Sequence, residues 1–117
     1  MDLVIVIGSQ VGSIYIFGGT SAGSPQWAAI AALANQLSAA GGHGPLGNLN
    51  RGLYALARSA AYSTDFHDVT TGNNRLVGTP VGFAAGTGWD DATGWGTPNV
   101  AALVPDLVKC VTTTSCP

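Results

Sequence analysis

Residues 18–25 read Gly-Gly-Thr-Ser-Ala-Gly-Ser-Pro and lie between a strand-like run at 13–17 and a long apolar, alanine-rich run. So little side-chain bulk at such a junction constrains the fold more than any other feature of the chain. A strand must end there and a helix begin, with Pro25 placed in the first helical turn, where a missing N–H costs nothing. Ser21 then stands at the end of a strand and on the opening turn of a helix. Gly18, Gly19, Ala22 and Gly23 leave room for another backbone or a ligand to approach its hydroxyl. The helix amino end adds unpaired N–H groups and partial positive charge, the surroundings that a developing oxyanion needs. Nucleophilic serines are presented in this way.

The residues around this junction read as alternating elements. Runs at 3–7 and 13–17, separated by Gly8-Ser9-Gln10-Val11-Gly12, predict an N-terminal β-hairpin. From 27 to 40, Trp27, Ile30, Ala31, Leu33, Ala34 and Leu37 leave most faces apolar, which predicts a buried helix. Gly41-Gly42-His43-Gly44-Pro45 breaks it. Leu49, Leu53, Leu56 and Ala60 recur at helical spacing and predict a second helix. Residues 65–96 are rich in glycine and aspartate and read as a long loop region with short strands near 76–77 and 81–84. A loop of that length in a compact domain is usually functional. Thr97-Pro98 is expected to start a last helix, which Pro105 ends or kinks.

With 117 residues the chain allows one small domain, yet only 9% of them are charged, against about 25% in ordinary globular proteins. Two explanations fit: a Gly/Ala-rich secreted protein with a neutral polar surface, or part of a larger core whose present surface is meant to be covered. We adopt the second. The four cations, Arg51, Arg58, Arg75 and Lys109, are scattered and form no basic stripe, which argues against a nucleic-acid partner. No apolar run approaches the ~18 residues of a membrane span, so no membrane partner is expected. Residues 3–7 are too short for a signal peptide, so a secreted parent would carry its export signal elsewhere. Cys110 and Cys116 lie in a Thr/Ser-rich tail with no zinc-ligand spacing; a small local disulfide and two free thiols are both open.

Two segments of the loop region supply oxygen ligands. Residues 65–74 (Asp-Phe-His-Asp-Val-Thr-Thr-Gly-Asn-Asn) and 86–90 (Gly-Thr-Gly-Trp-Asp) offer carboxylates and free carbonyls on turn backbone. Hard cations such as calcium take six to eight such oxygens. The EF-hand spacing is absent, because no acidic residue closes the loop at its twelfth position. Gly19-Thr20-Ser21-Ala22-Gly23 also matches the nucleophile elbow of the α/β-hydrolases, which would make the chain an esterase. That fold needs an acid and then a histidine after the serine. His67 is flanked so closely by Asp65 and Asp68 that the three cannot act as separate triad members. A serine that merely caps a buried helix is the plainer alternative.

Four motifs in register weigh against both. Gly18-Gly19-Thr20-Ser21-Ala22-x-x-Pro25, Leu49-Asn50-x-x-Leu53-Tyr54, Phe66-His67-Asp68-Val69-Thr70-x-Gly72-Asn73-Asn74 and Ala85-Gly86-x-Gly88-Trp89-Asp90-x-x-Thr93-Gly94-x-Gly96 closely resemble the end of the sedolisin catalytic domain. Sedolisins are serine-carboxyl peptidases on a subtilisin-like fold. The resemblance covers residues 3–107. It implies an α/β fold class: the C-terminal portion of a subtilisin-like doubly wound domain, with an N-terminal β-hairpin and a calcium-binding loop region. It implies a partial peptidase domain over 1–108, followed by a Thr/Ser/Cys tail at 109–117. It makes Ser21 the nucleophile. Calcium (Ca2+) would be held by the Asp68 and Asp90 carboxylates and the Val69, Gly86 and Gly88 carbonyls, in a structural role away from the reacting bond. The parent would hydrolyse peptide or protein substrates through an acyl-enzyme, usually at acidic pH, and would be extracellular.

One departure from the pattern bears on chemistry. Sedolisins use a glutamate as general base, an aspartate that orients it and a further aspartate in the oxyanion hole, all upstream of the serine. This chain contains no glutamate, and its only acid before Ser21 is Asp2, to which no role is assigned. A serine hydroxyl without a base is a poor nucleophile near neutral pH. The chain by itself is therefore expected to be inactive. A catalytically dead calcium-binding remnant is the alternative reading, and the missing N-terminal catalytic part is the partner that an active one would need.

Overall fold

The computed structural model describes residues 2–4, 15–17, 19–113 and 116. The chain divides into two compact units, residues 1–33 and 34–117. In the first, β1 (Asp2–Val4) pairs antiparallel with β2 (Tyr15–Phe17), with Leu3 opposite Ile16. The expected hairpin is therefore present at its base; its predicted loop, residues 8–12, lies outside the described residues. The chain then enters α1 (Thr20–Ala40).

Helix α1 starts earlier than the sequence suggests. Its first residue is Thr20, which puts Pro25 inside the helix and not in its opening turn. The proline costs one i→i−4 bond, the one that would end on the Ser21 carbonyl. Nor is the helix buried on most faces as predicted. Ile30, Ala34 and Ser38, spaced four apart, are buried, but Trp27, Leu33 and Leu37 are 38%, 49% and 42% exposed. The composition made every face apolar, while the described chain covers one.

In the second unit, α2 (Asn50–Ala57), α3 (Tyr62–Asp65) and α4 (Val100–Thr112) pack together. Their core is Leu56, Ala57, Phe66, Leu103, Val104, Leu107 and Cys110. Leu103 and Leu107 are fully buried, one helical turn apart on the same face of α4. Gly52 is what lets α2 approach that face. A Cβ there would sit 2.7 Å from Leu107 Cδ1 and 3.1 Å from Val111 Cγ2. Gly52→Ala is expected to cost about 1–3 kcal/mol by overpacking, read as a lower urea midpoint at unchanged slope. An unchanged midpoint would mean that the two helices can separate freely.

Thr97-Pro98 does not start the last helix. It forms β4, antiparallel to β3 (Phe66–His67), with Phe66 opposite Pro98. The helix begins after Asn99, and Pro105 neither ends nor breaks it, because α4 runs on to Thr112. Pro105 and Ala101, whose carbonyl loses its N–H partner, lie on the exposed side. The helix also carries into the predicted tail: Cys110 is buried near its end and forms a disulfide with Cys116.

The expected strands at 76–77 and 81–84 are an irregular antiparallel arm, joined by Asn74 N–H to Phe83 O (3.1 Å) and Ala85 N–H to Gly72 O (3.0 Å). Both sheets among the described residues are two-stranded and antiparallel. Helices with small sheets are compatible with part of an α/β domain. No helix among the described residues is long and apolar enough to cross a membrane.

Candidate functional site

Ser21 is the second residue of α1, four residues beyond the end of β2, and it is exposed. The strand-to-helix junction predicted for it is present. Gly19, just before the helix, has φ +100°, a conformation that suits only glycine, and its carbonyl accepts the Ala22 N–H at 3.1 Å. A Cβ placed on Gly19 or Gly23 would meet nothing within 4 Å. The hydroxyl therefore stands at a helix amino end in open surroundings, while Gly18 lies outside the described residues.

The loop region brings the two predicted carboxylates to one short segment. Asp68, two residues beyond Phe66, accepts the Gly88 N–H at 2.7 Å through Oδ2. Asp90 reaches back to the Gly86 N–H, 2.9 Å from its own Oδ2. Its Oδ1 caps the next turn, accepting the N–H groups of Ala92 (2.8 Å) and Thr93 (2.7 Å). The turn closes with paired Asp90 and Gly94 backbone bonds of 3.1 and 2.9 Å. The segment 86–90 is thus laced to both carboxylates by its own amides.

Electrostatics agree with this gathering. The Gly86 N–H, followed by those of Thr93 and Ala92, holds the Asp90 carboxyl below its ordinary range against a smaller opposing effect of burial. Tyr62 packs on Phe66 and Trp95, and burial, then the neighbouring Asp68 and Asp90 carboxylates, raise its phenol above its usual value. One phenol feels both carboxylates.

Asp68 Oδ1 is buried and has no hydrogen-bond partner. A buried carboxylate oxygen without a partner, on a loop bonded to the turn that carries a second carboxylate, is one that a hard cation could engage. The residues present therefore fit calcium. Among the described residues no three His, Cys, Asp or Glu side chains gather at one point, so any such ion would lean on backbone oxygens as well as on the two aspartates. Val69, Gly86 and Gly88 are each half-buried. His67, the residue on which an esterase reading would depend, is exposed on β3.

Sequence reasoning missed Gly96. It has φ +83°, and a Cβ there would fall on the His67 carbonyl oxygen, with Asp68 Cα 3.2 Å away. It is the point where the chain entering β4 crosses the backbone that carries Asp68. The glycine was visible in the sequence, but the crossing was not.

Comparison with known proteins finds relatives that are similar over most of the chain. The chain is 41% identical over 97 residues to tripeptidyl-peptidase 1 of Mus musculus, covering 78% of this chain and 16% of that protein. It is 43% identical over 89 residues to tripeptidyl-peptidase sed1 of Aspergillus fumigatus, covering 76% and 13% respectively. It is 40% identical over 97 residues to kumamolisin of a Bacillus species, covering 83% and 16%. The chain thus spans about a sixth of the length of the curated relatives it matches. No family model matches the chain. No solved structure matches it either. The relatives are sedolisins with a subtilisin-like fold, and the resemblance drawn from the motifs is borne out over most of the chain.

Proposed function

We infer that this chain carries the nucleophile and the calcium-binding loop of a sedolisin, forming the C-terminal part of a catalytic domain that cleaves peptide bonds outside the cytoplasm. The observation that carries this reading is Ser21 on the opening turn of α1 in a segment similar to serine-carboxyl peptidases. In the proposed reaction Ser21 Oγ attacks the scissile carbonyl carbon and its proton passes to a carboxylate base. The amine leaves with a proton, and water then hydrolyses the resulting ester. The amino end of α1 favours the negative charge that develops on the carbonyl oxygen. The doubly wound sheet and the base belong to the remainder of such a domain.

Asp68 and Asp90 would hold a calcium ion together with the Val69, Gly86 and Gly88 carbonyls, and the ion would supply charge neutralisation and cross-linking of the loop, not a step in catalysis. Both carboxylates accept amide N–H bonds from residues 86–90, which supports this reading.

The absence of glutamate favours one second reading, that of a calcium-binding remnant without activity. Both readings share an expected result: the purified chain, assayed on a peptide substrate from about pH 3 to about pH 8, shows no turnover above background for want of a base. Turnover abolished by Ser21→Ala would overturn it and require a base among the aspartates or histidines present.

A further inference from the structure

Asp65 is the one charged side chain among the described residues that is fully buried. Neither of its carboxylate oxygens has a hydrogen-bond partner. Its backbone, in contrast, is fully engaged. The N–H donates to Ala61 O at 2.9 Å, and the carbonyl accepts the Asn99 N–H at 2.8 Å. The Asn99 side-chain amide donates to Thr64 O, also at 2.9 Å. Asn99 is the residue from which α4 starts, so the end of α3 and the beginning of α4 are pinned through Asp65 and its neighbour. A buried carboxylate with no cation and no donor is among the costliest groups that a core can hold.

What faces that carboxylate from each packed element decides its state. From α4 comes Asp106, half-buried and within interaction range of Asp65. The other charged residue of α4, Lys109, is exposed, as are Arg51 on α2, Arg58 just beyond its end and His67 on β3. Strand β4 brings only Thr97 and Pro98. Tyr62, on the same short helix, turns toward Asp68 and Asp90. So among the described residues the ionisable group answering Asp65 is another acid, and the carbonyl end of α3 adds further negative potential. Two carboxyl groups in that position relieve their repulsion by sharing one proton.

We propose that Asp65 and Asp106 form a proton-sharing carboxyl pair that locks α3 to α4 in acid and loosens the junction as the pH rises toward neutrality. Burial, and then Asp106, push the Asp65 carboxyl up from its usual value near 3.8 to about 6. The sign follows. A folded-state value above the unfolded one gives stability that is fully present below about 4 and is lost as the pH climbs through about 6. The pair is separate from the loop carboxylate Asp90, whose carboxyl is held below its ordinary range by the Gly86 amide. It would give this unit a stability preference for acid that does not depend on calcium.

Thermal unfolding of the chain and of Asp65→Asn, in excess calcium at both pH values, tests this. Asparagine imitates the protonated acid, so it should melt at least about 5 °C above the parent chain at about pH 7.5 and lose that advantage at about pH 4.5. Asp106→Asn should also flatten the pH dependence of the parent. Equal melting differences at the two pH values would overturn the proposal. If Asp65→Asn does not fold, carboxyl carbon NMR of the parent decides it. A midpoint for Asp65 near 6 supports the pair, and one near 4 refutes it.

Discussion

Chelating calcium is expected to lower the melting temperature of this chain by about 10 °C relative to millimolar calcium. An ion present at a hundredfold excess over its dissociation constant adds about 2.7 kcal/mol to the folded state. A domain of this size shifts by about 4–8 °C per kcal/mol. The loop that would hold the ion has little else to order it: Leu76, Val77, Val81 and Phe83 are all exposed, so residues 72–85 contribute almost nothing to the core. Asp68→Asn and Asp90→Asn should each remove most of the difference between calcium and chelator. The effect should also have a definite pH sense. Asp90 is held below the usual carboxylate range by the Gly86 amide, so it stays ionised in moderate acid and the calcium effect fades only as the pH falls through that lowered value. A chelator response equal in both variants and the parent would mean that the cage is assigned to the wrong residues.

The second large effect is expected at Gly96. An alanine there meets two penalties together, a positive φ that costs about 1–3 kcal/mol and a clash with rigid His67 backbone that costs a similar amount. The sum, about 4 kcal/mol, is comparable with the whole stability of a small domain. Because the displaced backbone carries Asp68, calcium affinity should fall along with stability. A melting temperature within about 2 °C of the parent would show that β3 and β4 can part without cost, and the account of how Asp68 is positioned would fail.

Legibility in the sequence followed the range of the physics involved. The Ser21 junction was readable because glycine and β-rich runs act locally, although Pro25 misplaced the start of the helix. The gathering of Asp68 and Asp90 was inferable because both lie in glycine-rich turns whose motifs resemble a known family. Thr97-Pro98 misled because its conformation is set by pairing with Phe66–His67, some thirty residues away, and nothing nearby signals that partner. Pro105 misled in the other direction. A proline on the exposed side of a helix loses one bond at a carbonyl that solvent can satisfy, while Leu103 and Leu107 on the opposite side hold α4 together. Asp65 stood in the same loop-like composition as Asp68, and only the passage of α4 over it makes it a buried acid. The apolar surface of α1 was visible as composition, but how much of it would be covered was not.

The central claim is that this chain supplies a working sedolisin nucleophile, and an exchange tests it most directly. The chain's residues 3–107 replace the matching segment of kumamolisin, and the chimaera is assayed on a peptide substrate in acid with calcium present. The account predicts turnover that Ser21→Ala reduces by at least about 10⁴-fold. A folded, calcium-binding chimaera that cleaves nothing, or one whose activity survives Ser21→Ala, would contradict it.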